Sequence, residues 1–199
     1  MKIELSRKNK TLLILIAISV VVLAVLFLLM NLAPFGVRVL RTQTGKSILD
    51  YKFYYSSETV YEYFSGFGES GLKNLTAIRI IDVFVGIFVA VLQICLIILL
   101  SQKDYKALLV MPFSLLELLF DGSENLFLSL IQSKLPEQRE TLASMCGGVT
   151  MSKWIFFILT ALSLIVFAVL VFVKKNATTR GVEEATDKGE ITDVEKVDE

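Results

Sequence analysis

Residues 11–33 read TLLILIAISVVVLAVLFLLMNLA, a run of 23 residues without a charged side chain. A helix rises about 1.5 Å per residue, so this run is long enough to cross a hydrocarbon core of about 30 Å. Within lipid, every backbone amide must be paired inside its own segment, which predicts a helix. The run exceeds the apolar core of a cleavable signal peptide, so we expect a first helix that the protein retains.

Three more apolar stretches follow. The stretch at 80–100 carries one acid, Asp82, near its start, the stretch at 107–131 carries three acids, and the stretch at 154–173 carries no charge. The sequence therefore predicts an all-α, polytopic membrane protein built as a four-transmembrane-helix bundle. Its parts are an N-terminal segment at 1–10, a membrane domain at 11–175 with spans at 11–33, 80–100, 107–131 and 154–173, and a tail at 176–199.

The composition excludes several classes of protein. Hydrophobic residues make up 54% of the 199-residue chain, and 20 basic side chains balance 20 acidic ones. A nucleic-acid partner is not expected, because there is no basic excess. The chain has no histidine and two cysteines. Histidine-based catalysis and histidine or all-cysteine zinc sites are therefore excluded, and no metal or cofactor is predicted.

The basic residues indicate the orientation. Eight of them lie in 18 positions at one side of the predicted bundle, whereas nine on the other side are spread over 68 positions. Cytoplasmic flanks are enriched in lysine and arginine, so this density favours two cytoplasmic termini in a cell membrane. The eight are Lys2, Arg7, Lys8, Lys10, Lys103, Lys106, Lys174 and Lys175.

The first outer loop, at 34–79, contains one short predicted helix. Ser56 or Ser57 is suited to cap its start, and Gly66 and Gly68 are suited to end it in the left-handed conformation. Its apolar face suits the headgroup boundary, which predicts an interfacial helix that is either a lid over the bundle or simple loop packing. The residues of that face, at helical spacing, are Val60, Tyr63, Phe64 and Phe67.

Two further segments lie outside the predicted spans. In the second outer loop, Pro136 is suited to open a short helix that Gly147 and Gly148 would end. The tail at 176–199 is rich in charge and poor in large apolar residues, so it is predicted to be disordered.

The third predicted span carries the most informative polar pattern. Glu117, Asp121 and Glu124 have the spacing i, i+4, i+7, which places them within about 60° of one another on a helix, with Asn125 beside them. An ionised acid near the bilayer centre costs about 2.5–3.5 kcal/mol, so the stripe is expected to face the bundle interior or a water-filled cleft.

Several charged residues are possible partners for this stripe. Asp82 enters the second span from the outer side, with Arg79 at pairing distance on the same helix. Lys153 opens the fourth span, also on the outer side. We expect a polar pocket in the outer half of the bundle, serving either as a functional site or as a buried network that sets helix register. The pocket candidates are Asp82, Glu117, Asp121, Glu124, Asn125 and Lys153.

The order of these motifs resembles that of a poorly characterised group of small four-helix bacterial integral membrane proteins. The resemblance implies a fold and a shared role for the polar positions, and it implies no activity. The residues that carry it are Tyr55-Ser56-Ser57-Glu58, Tyr61, Gly68-Glu69-Ser70-Gly71, Asp82, Asp121-Gly122-Ser123-Glu124-Asn125 and Lys153-Trp154.

Three functional hypotheses follow from the pattern. The first is a non-enzymatic membrane protein whose pocket binds a lipid headgroup, a cation or a membrane partner, the last including a second copy of the chain. The second is an intramembrane hydrolase in which Asp121 forms a carboxylate dyad with Asp82 or Glu124. The third is proton- or cation-coupled transport, in which Glu117 at mid-depth would matter as much as Glu124. No complete catalytic motif is present, so no catalytic residue is assigned.

Overall fold

The computed structural model describes residues 7–187. The described residues contain no strand, and helix accounts for 85% of the structure. Short 3-10 helices at Leu49–Tyr51 and Tyr105–Val110 precede the third and fifth α-helices. Within the described range the α-helices are α1 (Arg7–Leu32), α2 (Val37–Thr44), α3 (Ser57–Ser65), α4 (Glu69–Ser101), α5 (Met111–Ser133) and α6 (Glu140–Asp187).

Three helical segments in the described chain are long and apolar enough to cross a membrane. They are Lys8–Thr42, Glu69–Ser101 and Glu140–Lys174. This agrees with the expected all-α, multi-pass class. The helix α5, which the sequence predicts as the third of four spans, is not among them because it carries three acids in its central turns.

Two helices start well before the predicted spans. The helix α4 begins at Glu69 rather than at residue 80, and α6 begins at Glu140 rather than at residue 154. Their first turns pack against residues 37–67, which we call the cap. Burial against the cap stabilises these polar first turns. The predicted spans were bounded by continuous apolar residues, so they leave these turns out. The shared core includes Leu40, Leu49, Val60, Phe64, Leu75, Ile78, Leu128, Ile131 and Ala143.

The predicted loop helix exists as α3, but its surroundings differ from the expectation. The Ser56 hydroxyl caps it by accepting the Thr59 backbone N–H at 3.3 Å. Its apolar face packs into the core of the cap, so protein rather than lipid headgroups covers it. The buried residues of that face are Val60, Tyr63, Phe64 and Phe67.

The predicted end of α3 is wrong in its geometry. Gly66 has φ −76° and Gly68 has φ −75°, so neither adopts the left-handed conformation. Gly66 instead closes the helix with a tight turn in which its N–H donates to the Tyr63 carbonyl at 3.2 Å. Gly45, after α2, is the glycine with positive φ in the described chain, at +70°.

The predicted short helix between Pro136 and the glycine pair is also wrong. The helix α6 starts at Glu140 and continues without interruption through Gly147 and Gly148. Gly147 is required by packing, because a Cβ atom there would collide with the Tyr55 backbone carbonyl oxygen. At Gly148 the corresponding space is open.

The structure differs from the predicted tail as well. The helix α6 continues to Asp187, whereas the sequence predicts disorder from residue 176. Extending an existing helix is easier than nucleating a new one, and residues 176–187 contain no proline. The rest of the predicted tail, 188–199, and residues 1–6 lie outside the described residues.

Candidate functional site

The polar stripe of α5 lies in the protein interior. Glu124 is fully buried, and Asn125, Glu117 and Asp121 expose 4%, 8% and 8% of their surface. The opposite face of α5 is apolar and exposed, as Leu119 shows with 60% exposure. The stripe faces inward because α5 packs against both α4 and α6.

Lys153 of α6 lies at the centre of the site. Its Nζ atom is 2.5 Å from Glu124 Oε2, 3.0 Å from Asp50 Oδ1 and 3.2 Å from Asp121 Oδ1. Lys153 itself is 8% exposed. One buried ammonium group therefore joins carboxylates from α5 and from the 3-10 helix of the cap.

The second oxygen of Glu124 is held by two hydroxyl groups. Tyr55 donates to Glu124 Oε1 at 2.9 Å and Thr150 donates to the same atom at 2.6 Å. The Cys146 sulfur lies 3.1 Å from the Tyr55 hydroxyl and is fully buried. Burial first, and the Glu124 carboxylate second, raise the pKa of Tyr55 above its usual range. Tyr55 therefore stays a neutral donor to Glu124.

Two side-chain amides hold the other acids. Asn125 Nδ2 donates to Asp82 Oδ2 at 2.8 Å, and Gln93 Nε2 donates to Glu117 Oε2 at 2.8 Å. Both hydrogen bonds join α4 to α5. Glu117 lies about 6 Å farther from the cap than Asp121 along the helix axis, so it forms a second, deeper polar position.

Arg79 does not make the predicted pair with Asp82. It donates a hydrogen bond to Gln132 Oε1 and lies over the Phe64 ring, with 5.9 Å from Cζ to the ring centroid. Its side chain is directed into the cap, where it has both an acceptor and an aromatic surface. Asp82 is held by Asn125 instead.

The buried charges do not balance. Among the described residues, five buried carboxylic side chains contrast with two buried basic ones, Arg79 and Lys153. Burying a charge without a partner is unfavourable, so a surplus of acids favours protonation or the binding of an external cation. The five acids are Asp50, Asp82, Glu117, Asp121 and Glu124.

A cavity of about 170 Å³ lies beside this cluster. α4 and α6 each pack on α5 but contact each other only weakly, and side chains of all three helices line the cavity. Gly86 of α4 lines it, and a Cβ atom there would collide with the Asp121 carboxylate. Four acids and Lys153 contribute to its surface: Asp50, Asp82, Glu117 and Asp121.

Three of the carboxylates have the spacing of a chelating group. Oxygens of Asp50, Asp121 and Glu124 lie within 4.8 Å of one another. Carboxylate oxygens are the ligands that Ca²⁺ and Mg²⁺ prefer. The Lys153 ammonium group contacts all three, so the position of a metal is taken by the chain's own cation.

Four residues that contact the pocket candidates are not among those candidates, although one of the four, Tyr55, belongs to the motifs that carry the resemblance. Asp50 and Tyr55 come from the cap, where no periodicity indicates which side chains turn inward. Thr150 lies one turn before Lys153 on the same helix. Gln93 lies 11 residues after Asp82, and this spacing places the two side chains within about 20° of each other around α4. These last two positions were detectable from helical spacing.

No family model, no curated protein and no solved structure matches this chain. The resemblance to small four-helix bacterial membrane proteins therefore rests on the motifs alone. The described chain is helical, and three of its helical segments are compatible with a multi-pass membrane protein. Its candidate site is a buried lysine–carboxylate cluster beside a cavity.

Proposed function

We propose that this chain is a non-enzymatic, four-span protein of the cell membrane that binds a small cationic group in the cavity beside Lys153. The observation that carries the proposal is the excess of buried carboxylates around one ammonium group, next to a cavity that admits a further group. Each of these acids is held by a lysine or by an amide donor, so the cavity is preorganised as a negatively charged pocket.

The proposal includes α5 as the fourth span. Its 23 residues cover about 34 Å, enough for a hydrocarbon core. Its charges face protein, while Leu115, Leu119 and Leu126 are at least half exposed on the opposite face. Intramembrane acids are tolerated when they face the bundle interior. In this arrangement the cap lies outside and both termini lie in the cytoplasm.

Cysteine labelling tests the number of spans. Lys103 and Gln138 are exposed at opposite ends of α5, and both native cysteines are buried. With an impermeant maleimide on intact cells, we expect Q138C to react at once and K103C only after permeabilisation. Reaction of both variants on the same side would exclude α5 as a span.

Cation binding is tested by thermal unfolding of the purified protein in detergent. Ethanolammonium, tetramethylammonium, Na⁺ and Mg²⁺ chlorides are compared at equal ionic strength. We expect the unfolding midpoint to rise with the logarithm of the concentration of at least one of them, which corresponds to a stabilisation of about 2.7 kcal/mol at 100 times its Kd. Asp82→Asn should remove the rise, and Asp104→Asn at the other end of the bundle should keep it. Absence of a rise specific to any of these cations, beyond the effect of ionic strength, contradicts the proposal.

The same geometry favours binding over hydrolysis. Lys153 contacts both Asp121 and Glu124, which relieves the charge repulsion that makes a carboxylate dyad share a proton. The Gln93–Glu117 pair favours transport as the second candidate function, since it supplies a deeper polar position. Transport predicts that Glu117→Gln abolishes uptake of the cation into vesicles, whereas simple binding predicts no uptake by either protein.

A further inference from the structure

Two of the residues that line the cavity are also exposed at the surface of the protein. Phe157 of α6 lines it and is 37% exposed on a segment compatible with a membrane span. Tyr51 lines it near the cap and is 51% exposed. A ligand can therefore enter sideways, from the bilayer, between α4 and α6.

The two ends of the cavity differ in chemistry. Asp50, Asp82 and Lys153 lie at the end near the cap. Val89 of α4 and Phe157 of α6 lie about 10 Å and 6 Å farther along their helices from Asp82 and Lys153. Glu117, held by Gln93, is the lining acid at this greater depth. The other three lining acids lie near the cap and the apolar side chains lie mainly away from it, which matches an amphiphile aligned with the lipids.

Its size and charge narrow the class of amphiphile. A volume of about 170 Å³ accommodates a small headgroup but not acyl chains. The chains would lie along exposed apolar side chains of α6 next to the cavity, such as Phe157 and Ile158. Four lining carboxylic acids and one lining lysine favour a headgroup that carries a positive charge.

An indole donor completes the site. Trp154 lines the cavity, and its Nε1–H is buried without an acceptor among the described residues. A buried donor without an acceptor is unfavourable, so a ligand oxygen at this position would gain a hydrogen bond. Lys153 lies beside Trp154 and adds positive charge at the same place, with its Nζ 6.0 Å from the indole centroid.

We infer that the cavity binds a phospholipid with a primary ammonium headgroup, phosphatidylethanolamine being the simplest example. The ammonium group contacts the carboxylates, and a phosphate oxygen accepts from Trp154 Nε1 near the positive charge of Lys153. This inference rests on the proposed cationic pocket and names its ligand. It predicts a preference for phosphatidylethanolamine over phosphatidylcholine, whose quaternary head donates no N–H bond, and over anionic phosphatidylglycerol.

Trp154 is the one tryptophan of the chain, so its fluorescence reports on the cavity directly. The full-length protein is placed in phosphatidylcholine vesicles that contain one lipid brominated in its acyl chains, which quenches a tryptophan in contact with it. We expect brominated phosphatidylethanolamine to quench at about tenfold lower mole fraction than brominated phosphatidylglycerol or phosphatidylcholine. A tenfold difference in affinity is about what one charge-assisted hydrogen bond contributes. Equal quenching by the three lipids, or a preference for phosphatidylglycerol, would overturn the inference.

Matched variants locate the effect. Val89→Phe fills the end of the cavity away from the cap and should abolish the preference, whereas Val83→Phe, on the exposed surface of α4 and outside the cavity, should keep it. Asp82→Asn should lower it. A preference that survives both Val89→Phe and Asp82→Asn places the lipid elsewhere and overturns the inference.

The two proposals fail in different ways. Stabilisation by soluble ethanolammonium without any lipid preference retains the cationic pocket and rejects the lipid. Glycerophosphoethanolamine, which has the headgroup without acyl chains, serves as a competitor, and displacement of the brominated lipid by it supports the headgroup as the recognised part. Absence of both cation stabilisation and lipid preference rejects both proposals.

Discussion

Lys153 Nζ lies 3.0 Å from Asp50 Oδ1, although the two residues are 103 positions apart in the chain. The contact joins the 3-10 helix of the cap to the first third of α6. Asp50 is 7% exposed, so the pair is shielded from water. The cap and the charged cluster are therefore one structural unit. A substitution that destabilises either of them should also destabilise the other.

Lys153→Met tests the role of this ammonium group. The variant leaves Asp50, Asp121 and Glu124 buried without their cation, and removing one partner of a buried ion pair costs about 3–5 kcal/mol. We expect a loss of this size in denaturant unfolding in detergent. Lys73→Met, which breaks an exposed pair with Glu69, should cost at most about 1 kcal/mol. Equal losses in the two variants would show that the cluster is not held by Lys153.

Glu124→Gln separates the ion pair from the neutral hydrogen bonds. Glutamine keeps an acceptor for Tyr55 and Thr150 but removes the negative charge next to Lys153. We expect a loss of about 1.5–3 kcal/mol in thermal unfolding, the usual contribution of a charge-assisted hydrogen bond. The matched variant Glu117→Gln changes a residue with no ion pair in the described chain and should lose less than about 1 kcal/mol. The reverse order would refute this account of the cluster.

Gly147→Ala tests the fit between the cap and α6. The new Cβ atom would collide with the Tyr55 carbonyl oxygen, and overpacking of this kind costs about 1–3 kcal/mol. Gly148→Ala points into open space and should be neutral or stabilise by up to about 1 kcal/mol, because alanine is the better helix former. The thermal midpoint should therefore fall for Gly147→Ala and stay level or rise for Gly148→Ala. A stabilised Gly147→Ala would mean that the cap lies farther from α6.

The raised pKa of Tyr55 predicts a loss of stability at alkaline pH. The phenol ionises near pH 10 in the unfolded chain but stays neutral in the fold, where burial and Glu124 oppose its ionisation. The contribution of the neutral Tyr55 phenol to the free energy of unfolding is therefore complete below pH 10. It is lost as pH rises above 10, by about 1.4 kcal/mol per pH unit for one group. The unfolding free energy of the parent should fall more steeply between pH 10 and 12 than that of Tyr55→Phe. Parallel slopes would contradict a neutral, buried Tyr55.

Local patterns in the chain were sufficient for part of this structure. The helical, membrane-compatible class follows from the length and hydropathy of the runs, which are properties of contiguous residues. The common face of Glu117, Asp121 and Glu124 follows from the 3.6-residue period. A serine cap before α3, at Ser56 or Ser57, follows from position in the sequence, and the structure selects Ser56.

Other features depended on contacts between distant segments. The lengths of α4 and α6 beyond the apolar runs reflect burial against the cap. The continuity of α6 through Gly147 and the turn of Arg79 toward Phe64 likewise depend on neighbours from elsewhere in the chain.

The sequence by itself determined the class of protein and the acidic face of α5, because hydropathy and helical period act between near neighbours. Only the tertiary structure decided that Asp50, Tyr55 and Thr150 meet Lys153 and Glu124, and that a cavity opens between α4 and α6. The physical reason is that a buried charge takes its partners from whichever segments the packing brings within about 3 Å. Sequence separation places no limit on that choice.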